Sequence, residues 1–151
     1  MAGWTNAGKN MVLDVAFRGV AVQTNYFLAL VTSATAPTYA TATLSDLTEI
    51  ADTQGYTEGG YSLTPGTTDF DVSAVVDTDD WRVQLKNIVW TASGGTLPES
   101  GDGARYAVLL DDNATPASRV VYAYWDLVSD RSVSDGQTLT LSDVEIRINE
   151  S

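Results

Sequence analysis

The chain contains no cysteine and no histidine. Without cysteine there is no disulfide, no thiolate nucleophile and no zinc–thiolate site. Without histidine, the commonest general base and the commonest transition-metal ligand are both missing. The absence of cysteine fits synthesis in a reducing compartment. Cations are scarce as well, with eight Lys and Arg against twenty Asp and Glu, for a net charge of −12 over 151 residues. A surface so acidic repels phosphate backbones and anionic membranes, so neither nucleic acid nor a membrane is an expected partner. No apolar run approaches the length that spans a bilayer. The opening MAGWTNAGKNM lacks the apolar core of a secretory signal.

What is plentiful is Thr, Val, Ser, Ala, Asp and Gly, a composition that favours strands over helices. The length suits one domain able to bury a sizeable core. Ala104–Asp130 is the densest apolar and aromatic stretch, and it reads as two strands joined by an Asp/Asn/Pro loop. Around Arg119–Leu127 the even positions carry Val120, Tyr122 and Tyr124, and the odd ones Val121, Ala123, Trp125 and Leu127. A strand apolar on both faces is covered on both faces. This hairpin is therefore expected at the centre of the fold, with Tyr122, Tyr124 and Trp125 buried.

Around it, Asn25–Thr32 reads as a buried strand, Tyr61–Leu63 as an extended segment stopped by Pro65–Gly66, and Thr68–Val76 as a further strand. Two segments change parity part-way. Trp81, Val83 and Leu85 are odd, whereas Ile88 and Trp90 are even. Leu139 and Leu141 are odd, whereas Val144, Ile146 and Ile148 are even. A parity flip marks a bulge or a strand that crosses between sheets, here near Asn87 and near Ser142–Asp143. In Asn10–Arg18, Leu13, Ala16 and Phe17 recur at helical spacing, with Gly19 placed to end the helix, so a short amphipathic helix is expected there. Leu44, Leu47 and Ile50 predict a second short helix, with Thr43 and Asp46 as a capping box. The fold class that follows is mainly β: a single-domain antiparallel β-sandwich or jelly roll. Residues 1–24 form an N-terminal arm and short helix, and 25–151 the sandwich, with one further short helix.

Chemistry is thinly represented. Two suitably spaced carboxylates would suffice for a glycosidase, with Trp81, Trp90, Tyr122, Tyr124 and Trp125 to stack on sugar. Yet the acids concentrate in turns, where Asp is common in any case. There is no G-x-S-x-G elbow and no phosphate loop. No enzyme activity and no obligatory cofactor are expected. Asp77–Asp80 and Asp111–Asn113 offer oxygen ligands suited to calcium, although neither has the spacing of an EF-hand loop. The long loops Ser33–Thr43 and Thr91–Gly103 are candidate contact loops.

Several segments in order resemble a family of small virion structural proteins of tailed bacteriophages. Leu13-Asp14-Val15-Ala16-Phe17-Arg18-Gly19 is similar to the family's opening L-D-x-x-F-R-G helix. Phe27-Leu28-Ala29-Leu30-Val31-Thr32-Ser33 resembles its first strand, and Thr48-Glu49-Ile50 with Gly55-Tyr56 a following T-E-I…G-Y stretch. Leu127 to Thr140, through Arg131, Val133, Gly136 and Leu139, resembles its close. The resemblance covers nearly the whole chain and rests on order and spacing rather than on one motif. It implies a β-sandwich without catalytic residues and a structural role in the virion, the protein being made in the bacterial host cytoplasm. The first reading is a capsid decoration (cement) protein on the outer surface of the head, a homo-oligomer such as a trimer, partnered by the major capsid protein. The second is a tail-fibre or tail-tip module, partnered by a tail protein of the same phage, that binds a host receptor or glycan. On the first reading Met1–Arg18 reaches onto a neighbour or the shell, with Trp4, Met11, Phe17 and Arg18 as the candidate interface residues; on the second the long loops Ser33–Thr43 and Thr91–Gly103 carry recognition.

Overall fold

A computed structural model describes residues 2–75 and 80–148. Ten strands and one helix follow in the order β1 (Ala2–Trp4), α1 (Asn6–Phe17), β2 (Tyr26–Val31), β3 (Tyr61–Leu63), β4 (Val72–Val75), β5 (Trp81–Gln84), β6 (Ile88–Thr91), β7 (Ala104–Leu110), β8 (Val121–Arg131), β9 (Thr138–Leu141) and β10 (Glu145–Ile148). Two 3₁₀ turns, Leu44–Asp46 and Pro116–Ser118, complete the inventory of the described residues. The architecture is mainly β and antiparallel. A five-stranded sheet runs β1-β8-β7-β2-β3, faced by a three-stranded sheet β10-β5-β4 and a two-stranded ladder β6-β9.

The β7–β8 hairpin lies at the centre, as its two-faced apolar pattern requires. On one face Leu28 and Leu30 of β2, Ala107 and Leu109 of β7, and Ala123 and Trp125 of β8 meet Leu85, Ile88, Trp90, Leu139, Leu141 and Val144 from the opposing layer. On the other face Ala29, Val31, Val108, Leu110 and Val121 form a smaller core, closed by Leu44. The alternation in β2 and β7 is thus read by two separate cores. In β8 a bulge intervenes. Leu109 pairs with Ala123 but Leu110 with Val121, so Tyr122 is the extra residue and the parity of the strand flips there. Tyr122 and Trp125 are buried, and Tyr124 is half-buried.

Both predicted parity flips are strand crossings, and they face one another. Gln84 lies opposite Glu145, and Ile88 opposite Leu141, so the pairing offset is kept on both sides of the break. At the break the Leu85 N–H donates to the Val144 carbonyl at 2.8 Å, and both side chains are buried. Asp143 takes a positive φ of 56° to make the bend on its strand. One long strand pair is thereby kinked so that its halves belong to different sheets.

Residues 32–50 form a strap over the smaller core. Thr32 N–H donates to Thr48 O at 2.8 Å, Ile50 N–H to Leu30 O at 3.1 Å, and Leu44 N–H to Arg119 O at 2.9 Å. The second predicted helix is a single 3₁₀ turn within this strap. Asp46 does reach back as expected, accepting from the Thr43 and Ala42 N–H groups at 3.0 Å each. Those two bonds hold its carboxyl below the usual range.

Two boundaries differ from the sequence-based expectation. Helix α1 starts at Asn6, because Thr5 caps it by accepting from the Gly8 N–H at 2.9 Å. Its end is as predicted, with Gly19 at φ +74° and the Val20 N–H returning to Asp14 O. The segment before it does not reach away from the domain. Ala2–Trp4 is the edge strand of the five-stranded sheet, paired with Ala123–Trp125.

Candidate functional site

The stripe that Leu13, Ala16 and Phe17 make on α1 faces solvent rather than the sheet. Phe17 is 80% exposed and Leu13 55% exposed, with Val12, Ala16 and Val20 also exposed. The buried side is Thr5, Gly8, Met11 and Val15, of which Thr5 and Gly8 are fully buried. Backbone proximity decides this orientation. A Cβ on Gly8 would lie 2.3 Å from the Tyr122 carbonyl oxygen, so the first turns of α1 sit directly on the β8 bulge. The Thr5 hydroxyl reinforces the contact by donating to the Val121 carbonyl, and the Thr5 N–H donates to Tyr122 O at 3.0 Å. With that side fixed, helical geometry turns Leu13 and Phe17 outward.

Of the four candidate interface residues, two are engaged within the chain. Met11 packs on the main core. Trp4 also packs there, and its indole N–H donates to the Arg147 carbonyl at 2.7 Å. Trp125 donates likewise to the Glu145 carbonyl at 2.9 Å. These two carbonyls point away from β5, so the paired indoles cap the outer edge of β10, where an unpaired strand edge would otherwise invite another chain. Phe17 and Arg18 do lie at the surface. Arg18 pairs with Asp14 at 3.2 Å across one helical turn. Periodicity identified the stripe, and Phe17 as an interface candidate, but did not fix which way the stripe points. The signal it passed over was Gly8, a small residue one turn into a helix.

Beside the exposed helix face runs an open groove of about 820 Å³ between α1 and β10, lined by Trp4, Val12, Leu13, Trp125, Ile146 and Ile148 among others. A second hollow of about 410 Å³, sharing Trp4, Val12 and Ile146, continues between the sheets past Tyr26, Phe70 and Tyr122. Tyr26 meets both Phe70 and Tyr122 edge-on, with centroids 5.7 and 5.5 Å apart. Burial pushes the Tyr122 phenol well above its ordinary value, and nearby Tyr26 and Asp111 add to the rise.

Charge divides sharply along the chain. Of the twenty carboxylates only Asp14 lies in residues 1–45, which also hold Lys9 and Arg18. The apolar face of α1 therefore belongs to the least acidic stretch of the sequence, with Asp80 and Glu145 on the groove beside it.

In the Asp111–Asn113 turn the carboxylates are engaged by the chain's own donors. Asp111 Oδ1 accepts from the Asn113 and Val120 N–H groups at 3.2 and 3.0 Å. Asp112 Oδ2 accepts from the Thr24 hydroxyl at 2.6 Å and the Thr24 N–H at 2.8 Å. Among the described residues no group of three or more acidic side chains is placed to hold a metal ion. Of the other proposed calcium turn, Asp77, Thr78 and Asp79 lie outside the described residues, and Asp80 lines the groove. A part-buried polar network does exist around Glu49 and Arg119. Glu49 accepts from the Tyr56 hydroxyl at 2.6 Å and the Gly59 N–H at 2.7 Å, and Arg119 donates to Gly59 O at 2.8 Å. Arg119 also lies 3.5 Å from the centre of the Phe27 ring. These groups tie the strap and the residues after it to the central hairpin.

Set against known protein families and against characterised proteins, the chain matches none.

Proposed function

We propose that the chain is a non-enzymatic structural component of a tailed-bacteriophage virion, acting as a decoration protein that binds the outer surface of the head and stabilises it. One observation carries this reading. An apolar helix face with an 80% exposed phenylalanine stands on an otherwise well-packed acidic sandwich. A face of that kind is covered in the working assembly. The acidic remainder resists non-specific association in a crowded particle. The segments that resemble the phage family include this helix, from Leu13 to Gly19. The experiment is the copy number of the protein in purified virions, with the heat resistance of particles that lack it. A decoration protein is present at levels comparable with the major shell protein, and its deletion lowers the temperature at which heads open. Absence from the particle overturns the reading. A few copies per virion, with intact heads and lost adsorption on deletion, assigns the chain to the tail instead.

A further inference from the structure

We infer that the hollow between the sheets is a binding site for a quaternary ammonium group, the trimethylated cation that choline and betaine carry. The inference goes beyond the virion reading and stands or falls apart from it. Four aromatic residues, Trp4, Tyr26, Phe70 and Tyr122, line this space of about 410 Å³. Trp4, Tyr26 and Phe70 are half-buried, so the walls are open to an entering molecule. Their setting selects the shape of the occupant. The Tyr26 ring stands at 75° to Phe70 and at 85° to Tyr122. Rings at right angles offer no common plane on which a flat ligand could stack. They suit a rounded group, and a tetrahedral ammonium is one whose charge the ring faces attract.

Charge selects the same occupant. Among the described residues that line the hollow none is charged, so no lysine or arginine of theirs fills it. The protein carries a net charge of −12, which draws cations and repels anions. Asp112 acts on the site itself. Burial raises the phenols of Tyr26 and Tyr122, and the negative charge of Asp112 adds to the rise at both. The potential that opposes a phenolate there favours a cation between the rings. Methylation matters as well. A primary ammonium gives up hydrogen bonds to water that it has to replace. Among the lining side chains the only oxygens are the two phenols and the Thr67 hydroxyl. A trimethylammonium has no N–H to satisfy and loses least by entering.

The test is isothermal titration of the purified full-length chain with choline. Ethanolamine is titrated alongside, as is the uncharged alcohol in which carbon replaces the choline nitrogen. Choline should bind saturably, with a dissociation constant of about 1 mM or lower. Ethanolamine and the alcohol should each bind at least about fivefold more weakly. Phe70→Leu removes one wall but keeps an apolar side chain, and should weaken choline about fivefold. Tyr26→Phe keeps its ring and should stay within about twofold of wild type. Circular dichroism and melting show that each variant is folded. The three ligands are compared on the wild-type chain, so a Phe70→Leu variant that fails to fold leaves the test intact. No saturable binding of choline overturns the inference. An alcohol that binds as tightly as choline makes the hollow a plain apolar slot and overturns it too. Ethanolamine that binds as tightly reduces the effect to surface charge, with the same consequence. Unchanged binding in a folded Phe70→Leu variant places the cation elsewhere and overturns the site. Phosphatidylcholine vesicles separate the sources of the group: co-sedimentation of the protein assigns a lipid headgroup, and its absence a free cation.

Discussion

The strap over residues 32–50 and helix α1 both lie against the same central sheet, both carry apolar side chains at helical spacing, and they end oppositely. The strap buries Leu44 and Ile50, one in each core, and is held by backbone bonds to β2 and to Arg119. Helix α1 is held through Thr5 and Gly8 at its first turns and leaves Leu13 and Phe17 in solvent. The difference lies in what fixes each segment. Where hydrogen bonds to strand edges run along the length of a segment, its apolar residues are drawn inward. Where one backbone contact fixes the end of a rigid helix, geometry dictates the rest, and apolar residues can be left outside. An apolar stripe therefore records which residues share a side of a helix, and the anchoring contact records which way that side points.

Substitution of matched leucines should break the symmetry between the two segments most visibly. Leu44→Ala removes a side chain that closes the smaller core and leaves a cavity under the strap. It should cost about 2–5 kcal/mol, read as a lower denaturation midpoint with an unchanged slope. If Leu44→Ala costs no more than a surface substitution, the strap is a loose cover and the comparison fails.

Gly8→Ala tests the other half. In a solvent-exposed helix interior, alanine in place of glycine stabilises. Here the new Cβ meets the Tyr122 carbonyl and Cα at 2.3 and 2.5 Å, so the sign reverses. The helix has to lift from the bulge, at a cost of about 1–3 kcal/mol. Amide exchange in residues 5–17 should accelerate ahead of the β7–β8 hairpin. A stabilised Gly8→Ala variant would show that α1 is not anchored by that approach.

Much of this arrangement was legible in the residues. The two-faced hairpin, the strand of residues 25–32 and both parity flips follow from period-two patterning, because each buried face must stay apolar. The facing of the two flips, Leu85 against Val144, could not be read, since strand pairing is non-local. The β8 bulge at Tyr122 was hidden because its neighbours are apolar on both sides, so a shift in parity leaves no mark. That same bulge receives Gly8, which is why the orientation of α1, and with it the exposed face, escaped a reading by periodicity. Trp4 was legible as an anchor but not as one engaged with Arg147 of its own chain.

A smaller effect separates the strap from the helix by its pH dependence. Burial pushes the Glu49 carboxyl above its ordinary 4.5, against the hydrogen bonds from Tyr56 and Gly59 that pull it down; Glu58 adds to the rise and Arg119 opposes it. A carboxyl raised in the folded state contributes stability that is fully present below its unfolded value and is lost as pH rises through the folded value. Glu49→Gln keeps an oxygen acceptor for both donors and removes the ionisation. The variant should be at least as stable as wild type at pH 7, and its advantage should shrink as pH falls through the raised folded value and be gone below about 4.5. A loss of stability at pH 7 would mean that the attraction to Arg119 outweighs burial.

The smallest effect is expected at Leu13, and there its size is the point. Leu13→Ala deletes the same atoms as Leu44→Ala, but from a side chain 55% exposed. In dilute solution the change in unfolding free energy should stay within about 0.5 kcal/mol. A large loss would place Leu13 in the core and overturn the orientation of α1 on which the contrast with the strap depends.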